Sequence, residues 1–245
     1  MSKGAVVRYD KPWWIIIGGR KRLGRALAEM LAPNYNLLLT SSASWDIEVD
    51  WVESLSQKTS LRCFVWDAVS QNLAMNIAAD LEAIQSEGIT INGAILASGT
   101  FQEDTFGQWD YKDLAKNWQI NLTFPLLVTQ ELSKYLAKGS CIQVLLDTSL
   151  YKPFLKRLPH SVAEHGLRCM VIGLANLLAP EKRVVGHVLG TVFDNPETDP
   201  SWLADKSLLR RLGSVSDLER ALRFAADSPY ITGAIITLDG GTHLL

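Results

Sequence analysis

The sequence predicts an α/β fold, a single-domain doubly wound parallel sheet of about seven strands with helices on both faces. Short apolar runs rich in β-branched residues alternate with helix-period stretches along the whole chain. The first apolar run ends in a glycine turn that opens the first helix. No linker, repeat or low-complexity tract divides the 245 residues, a length one α/β domain can fill around a substantial core. The predicted domain is therefore 1–245, with one excursion near 191–213.

Trp13 to Ile17 is short, apolar and ends at Gly18, which reads as a buried strand. Leu23, Ala26, Leu27, Met30 and Leu31 follow at helical spacing. Asn36 to Thr40 reads as a second strand and Ser41 to Ser44 as a polar loop. A possible helix covers 48–58, and Leu61 to Val65 is a third strand. Leu73, Ile77, Leu81 and Ile84 mark an amphipathic helix that Gly88 ends. Ile89 to Ala97 is a fourth strand. One long helix spans 110–135, with Pro125 kinking it or marking its deeper end. Cys141 to Leu146 is a fifth strand, 147–159 is irregular, and Val162 to Leu178 is a helix. Lys182 to Val188 is a sixth strand. The excursion carries breaks around Pro196 and Pro200 and a short helix near Trp202, the form of a substrate loop. Ser216-Asp217-Leu218-Glu219 reads as a capping box opening the last helix, and Ile231 to Leu238 as a seventh strand.

A formal net charge of −2 implies no nucleic-acid-binding surface. No apolar run reaches membrane-spanning length, and the N-terminus lacks a secretory core. Cys63, Cys141 and Cys169 sit far apart in apolar stretches, the pattern of reduced, buried thiols in a cytoplasmic protein. His160, His165, His187 and His243 form no metal-ligand spacing, so no metal is expected.

The turn Gly18-Gly19-Arg20-Lys21-Arg22-Leu23-Gly24 carries the first chemistry. Glycines permit a sharp turn and close approach of a ligand. A helix start offers free N–H groups to a phosphate, and three adjacent cations add full charges. In a dinucleotide-binding fold, an acid after the second strand holds the ribose 2′-hydroxyl. Residues 40–44 hold none, and Ser41 and Ser42 with the turn cations favour a 2′-phosphate, hence NADP(H). Asp46 lies nearby. Asp67, leaving the third strand, either caps the next turn or bonds an adenine amine.

These motifs together resemble the short-chain dehydrogenase/reductase family over nearly the whole chain, from Trp13 onward. The resemblance implies a Rossmann-type fold. Ile17 to Gly24 matches the family's Thr-Gly-x-x-x-Gly-x-Gly, with Ile for Thr and Arg22 for the middle Gly. Arg at that place is similar to the pteridine reductase and dihydromonapterin reductase branch. Ala97-Ser98-Gly99 falls on the family's Asn-Ala-Gly, and Ser98 with Phe101 echoes the pteridine-reductase-like form. Asn121 falls on the helix Asn, Gly190 on the Pro-Gly after strand six, and Tyr230-Ile231-Thr232-Gly233 with Leu238-Asp239-Gly240-Gly241 on the closing signature. The resemblance implies a small-molecule substrate and pairing through the helices near 110–135 and 161–179 into a homodimer or homotetramer.

The catalytic centre departs from the family. Asp147 stands where the family has Ser and the pteridine-reductase branch Asp. Thirteen residues on, in the family's spacing, Tyr-x-x-x-Lys becomes His160 and Glu164. Imidazole can donate a proton near neutrality without a lysine. Glu164, one helical turn away, would favour imidazolium and could bond ribose hydroxyls. Asp147 could act as an acid on a pterin-like nitrogen. Tyr151 and Lys156 are a second acid and cation whose spacing fits no known role. Two readings stand: an NADPH-dependent, pteridine-reductase-like oxidoreductase acting on a C=N or C=O, and a catalytically impaired relative that binds a nucleotide or a partner. Trp109, Trp118 and Trp202 either line a pocket for a flat ring or belong to the core.

Overall fold

The computed structural model describes residues 11–192 and 204–245. Residues 1–10 of the lead-in, and Pro196, Pro200 and Trp202 of the excursion, lie outside them.

The strands are β1 (Trp13–Ile17), β2 (Asn36–Ser41), β3 (Leu61–Val65), β4 (Ile91–Leu96), β5 (Leu136–Asp147), β6 (Arg183–Leu189) and β7 (Ile235–Leu238). They form one seven-stranded sheet in the order β3-β2-β1-β4-β5-β6-β7, each neighbouring pair parallel. The helices are α1 (Arg22–Leu31), α2 (Val49–Ser56), α3 (Leu73–Ser86), α4 (Tyr111–Trp118), α5 (Phe124–Tyr135), α6 (Leu158–Leu178) and α7 (Val215–Asp227).

Successive strand residues point to opposite faces. Ile15, Ile17 and Leu38 therefore pack with Ile77 and Leu81 of α3, Val128 and Leu132 of α5, and Leu167 and Val171 of α6. Trp14, Ile16, Leu37 and Leu39 pack on the other face, with Leu27 and Leu31 of α1, Leu55 of α2, and Leu218 and Leu222 of α7. Strands buried on both faces read as near-continuous apolar runs, as these do. Gly93 makes room for Trp14: a Cβ there would lie 2.6 Å from the indole.

Several details correct the sequence reading. The helix expected over 110–135 is broken into α4 and α5 by a π-helical turn, Gln119–Thr123. Pro125 sits in the first turn of α5, where its missing N–H costs nothing. The capping box is Ser214 with Asp217, two residues before the expected one, and each bonds the other's backbone N–H. β7 begins at Ile235 rather than at 231, and β5 starts earlier, at Leu136. Of the thiols, Cys141 is buried, but Cys169 is exposed on the outside of α6. No helix of the described residues is long and apolar enough to cross a membrane.

Candidate active site

The chain reverses its winding between β1 and β4, and such a switch point opens a crevice at the carboxyl ends of the strands. The glycine turn lies there. Gly18 has φ +87°, and a Cβ on it would meet the Ser98 backbone at 2.9 Å. A Cβ on Gly24 would lie 2.1 Å from the Gly18 carbonyl oxygen. Thr40 anchors the turn, accepting at Oγ1 from Gly18 N (3.2 Å) and at its carbonyl from Gly19 N (2.9 Å). Arg22, where the family pattern has glycine, takes a left-handed φ of +49°. For a residue with a Cβ that conformation costs roughly 1–2 kcal/mol.

The turn fits an anionic nucleotide. α1 has no side-chain cap and no acid in its first turn, so its N–H groups and positive dipole end are left for a ligand. Lys21 and Arg22 are exposed and unpaired among the described residues, and Leu23 packs beneath them. The Arg20 guanidinium donates to the Ser44 carbonyl at 2.7 Å, so it reaches the loop after β2. There Ser42 is exposed, Ser41 Oγ accepts from Ala43 N, and Asp46 is engaged by the Ser44 hydroxyl at 2.6 Å. Under the turn, Ser98 Oγ is buried with no partner. Ala97 N is tied to the Ile17 carbonyl. Asp67 accepts from Val69 N, the turn-capping one of its two readings. Gly190 is demanded by packing, since a Cβ would sit 2.8 Å from Asp239 Cα.

The structure brings Asp147, His160 and Glu164 together. Asp147 ends β5, and its Oδ1 caps the following 3-10 turn by accepting from Ser149 N. Its Oδ2 lies 2.7 Å from His160 Nε2. Glu164, one turn along α6, has Oε1 3.8 Å from the same nitrogen, and its Oε2 accepts from Asp147 N at 3.0 Å. Asp147 is thus the ring's direct hydrogen-bond partner, and Glu164, which the sequence reading expected to favour imidazolium, acts on it from 3.8 Å. Burial opposes the imidazolium, but the hydrogen bond and charge of Asp147, then the charge of Glu164 and the Thr100 carbonyl, outweigh it and raise the His160 pKa. Asp147 is itself desolvated, yet its bonds to His160 and Ser149 hold its pKa low. Burial, reinforced by the Asp147 charge, drives Glu164 up to about 8. These shifts favour the charged forms of Asp147 and His160 and the protonated form of Glu164.

His160 Nδ1 is buried without a hydrogen-bond partner. The Phe101 ring packs edge-on against the imidazole, centroids 5.0 Å apart. Asn121, in the π-helical turn, clamps Thr100, accepting from its N–H (2.7 Å) and donating to its carbonyl (3.1 Å). Asn121 therefore positions the loop over His160 and does not touch the ring's partners. Donor atoms of Asp147, His160 and Glu164 lie within 4.8 Å of one another and could hold a cation, which sequence spacing alone did not suggest. The 2.7 Å contact is one that a proton bridges.

Beside this centre opens a cleft of about 1010 Å³. Phe101, Thr148 and Gly190 line one side, and Lys206 to Leu209 with Arg211 to Gly213 of the excursion line another. Sequence reasoning missed the outer wall, where Asp239 Oδ2 lies 2.7 Å from His243 Nδ1. The spacing of an acid and a histidine four apart just after the last strand was the available signal. Tyr151 stacks on His243 and bonds Thr237 Oγ1, so it braces this wall and stands apart from Lys156. Trp109 and Trp118 do not line the cleft.

Comparison with known proteins bears on this geometry. No protein-family model matches the chain. It is 32% identical over 138 residues to a tropinone reductase-like protein of Erythroxylum coca, spanning about half the length of that relative (54%) and 53% of this chain. Over 94% of its own length and 97% of the relative's it is 24% identical to a 3-oxoacyl-(acyl-carrier-protein) reductase of Bos taurus. A solved short-chain dehydrogenase/reductase from Brucella melitensis, titled a glucose/ribitol dehydrogenase, superposes with a TM-score of 0.84 at 21% identity, over 96% of this chain and 99% of that one. These neighbours support the short-chain dehydrogenase/reductase family. The fold is that of the family, and the curated relatives are named as reductases.

The buried glutamic acid sets a pH dependence of stability. Between its ordinary value of 4.5 and about 8, the folded protein keeps a proton that the unfolded chain has released. Stability must then fall as pH rises through that window, by up to about 1.4 kcal/mol per pH unit. His160, raised above 6.5, adds a fall of the same sign above that value. Urea unfolding between about pH 5 and about pH 8 should show this decline, and Glu164→Gln should flatten most of it. Parallel curves for the two proteins would show that Glu164 is ionised in the folded state.

Proposed function

We propose that this chain is an NADPH-dependent oxidoreductase of the short-chain family that reduces a C=O or C=N of a small substrate, with His160 as proton donor. The observation that carries the reading is the 2.7 Å pair of Asp147 Oδ2 and His160 Nε2 at the carboxyl end of β5. The bound cofactor supplies the hydride. Gly18, Arg20, Lys21, Arg22, Leu23, Gly24, Ser41, Ser42, Ala97, Ser98 and Gly99 form its cradle, with Gly190 on the nicotinamide side and Asp67 as a turn cap near the adenine. The protein's part is to orient the substrate and move one proton. Asp147 holds the Nε2–H, which leaves Nδ1–H to pass to the substrate oxygen or nitrogen as it gains electrons. The neutral ring then keeps its bond to Asp147. The arginine-bearing turn, similar to that of pteridine reductases, makes pterin-like rings the first compounds to assay.

A second reading, a non-catalytic relative that binds nucleotide or a partner, is favoured by the closure of the centre, since His160 and Glu164 are each only 6% exposed. NADPH oxidation against pterins and small carbonyl compounds separates the two.

Three outcomes are expected. Direct titration should give NADPH at least about tenfold tighter binding than NADH, about 1.4 kcal/mol, and Arg20→Ala should erase most of that preference. Equal affinities would refute the 2′-phosphate site. Turnover should fall as pH rises through the raised imidazole pKa, because only imidazolium donates. Asp147→Asn should move that limb to lower pH by more than Glu164→Gln does, and His160→Ala should cost about a hundredfold in kcat with NADPH affinity retained. Unchanged kcat in His160→Ala would remove His160 from the mechanism. Finally, Leu126 of α5 and Ile172 and Leu177 of α6 are apolar and exposed, which supports pairing through these helices into a homodimer or homotetramer. Light scattering should show an oligomer at micromolar concentration that Leu177→Glu weakens; a monomeric wild type would refute it.

A further inference from the structure

The cleft's hydrogen-bonding inventory is lopsided. Its described lining contains two acids, Asp217 and Asp239, and both are spent. Asp217 takes Arg211 at 2.7 Å, Arg220, and the Ser214 N–H, and these bonds, Arg211 first, hold its pKa far down. Asp239 takes His243 Nδ1, the His243 N–H and the Gly241 N–H. Two hydroxyls of the lining are also committed, Ser207 to the Gly240 carbonyl and Thr242 to the Asp239 carbonyl.

The unspent charged groups of the described lining are donors. Lys156 is exposed with no side-chain partner among the described residues. Arg157 pairs with Glu103 through Nη2 and lies over the Phe101 ring, but its Nε is buried with no partner. The rest of the wall is apolar, with Leu155, Leu208 and Leu209 exposed along it. A concave apolar wall with cationic donors and, in its described lining, no free carboxylate selects an anion with an apolar body, because a neutral ligand would leave those donors unmet.

We propose that the cleft takes an amphipathic anion, a molecule with an apolar ring or chain and a carboxylate or phosphate group, recognised by Lys156 and Arg157. This rests on the reductase reading for calling the ligand a substrate, but the binding itself can be read without turnover.

The probes are 2-naphthoate and its neutral counterpart 2-naphthamide, titrated calorimetrically into the full chain with NADPH present and absent. Naphthoate should bind about tenfold tighter than the amide, and added salt should narrow the gap. Lys156→Ala and Arg157→Gln should each weaken naphthoate about threefold or more and leave the amide unchanged. Equal affinity for the two probes, equal weakening of both by the variants, or binding of neither overturns the proposal. Should Arg157→Gln lose its folded circular dichroism, Lys156→Ala, at an exposed side chain, carries the test alone. Charge-selective binding with no NADPH oxidation by any compound would overturn the reductase reading and leave the anion cleft standing. Turnover of neutral ketones with no selectivity would do the reverse.

Discussion

β1 pairs with β2 on one side and β4 on the other, and the rest of the site depends on that placement. Three chain segments converge where β1 ends: the glycine turn, the loop after β2 and the loop after β4. The approach is so close that a Cβ on Gly18 would strike the Ser98 backbone. Glycine is therefore required by the packing of two strand ends, before any ligand is considered. The same crossing leaves the uncapped start of α1 facing the crevice with Lys21 and Arg22 unpaired. A helix that stabilised itself would use a capping side chain or an acid there, as α7 does with Ser214 and Asp217. α1 forgoes both, which leaves its first N–H groups without a side-chain partner.

The ionic centre follows a second constraint, that two carboxylates this close in a buried space do not both ionise at neutral pH. Asp147 keeps its charge because it has the better partners, the imidazole and the Ser149 amide. Glu164, in the apolar interior of α6 and accepting only one backbone N–H by hydrogen bond, keeps its proton. The net charge of the three groups is then zero, which makes their burial tolerable.

Much of the architecture was legible because its signals are local. Short apolar runs gave most of the strands to within a few residues, and the parallel sheet followed from their alternation with helices. The register that made His160 the counterpart of the family's tyrosine is consistent with the 2.7 Å contact to Asp147. What was not legible depends on tertiary placement. Nothing local marks the π-helical turn at 119–123, which carries the Asn121 that bonds Thr100. The effect of Glu164 on His160 was legible because the two are near in sequence, while the hydrogen bond to Asp147 was not, because Asp147 is near only in space. His243 went unnoticed because a histidine in a terminal turn acquires meaning only when β7 carries it to the cleft.

The substituted centre obeys a consistent charge logic. A tyrosine must be pushed toward phenolate to exchange a proton near neutrality, and a nearby cation does so. An imidazole begins near neutrality and needs the opposite, an anion that retains its proton until the substrate draws it away. Asp147 already stands at the end of β5 to supply that anion. A lysine at 164 would then compete with His160 for Asp147 and oppose the imidazolium. A glutamic acid there can remain neutral, hydrogen-bond the Asp147 backbone and leave the Asp147–His160 pair intact. Exchanging tyrosine for histidine makes the lysine a liability, so the two departures from the family pattern are one electrostatic change.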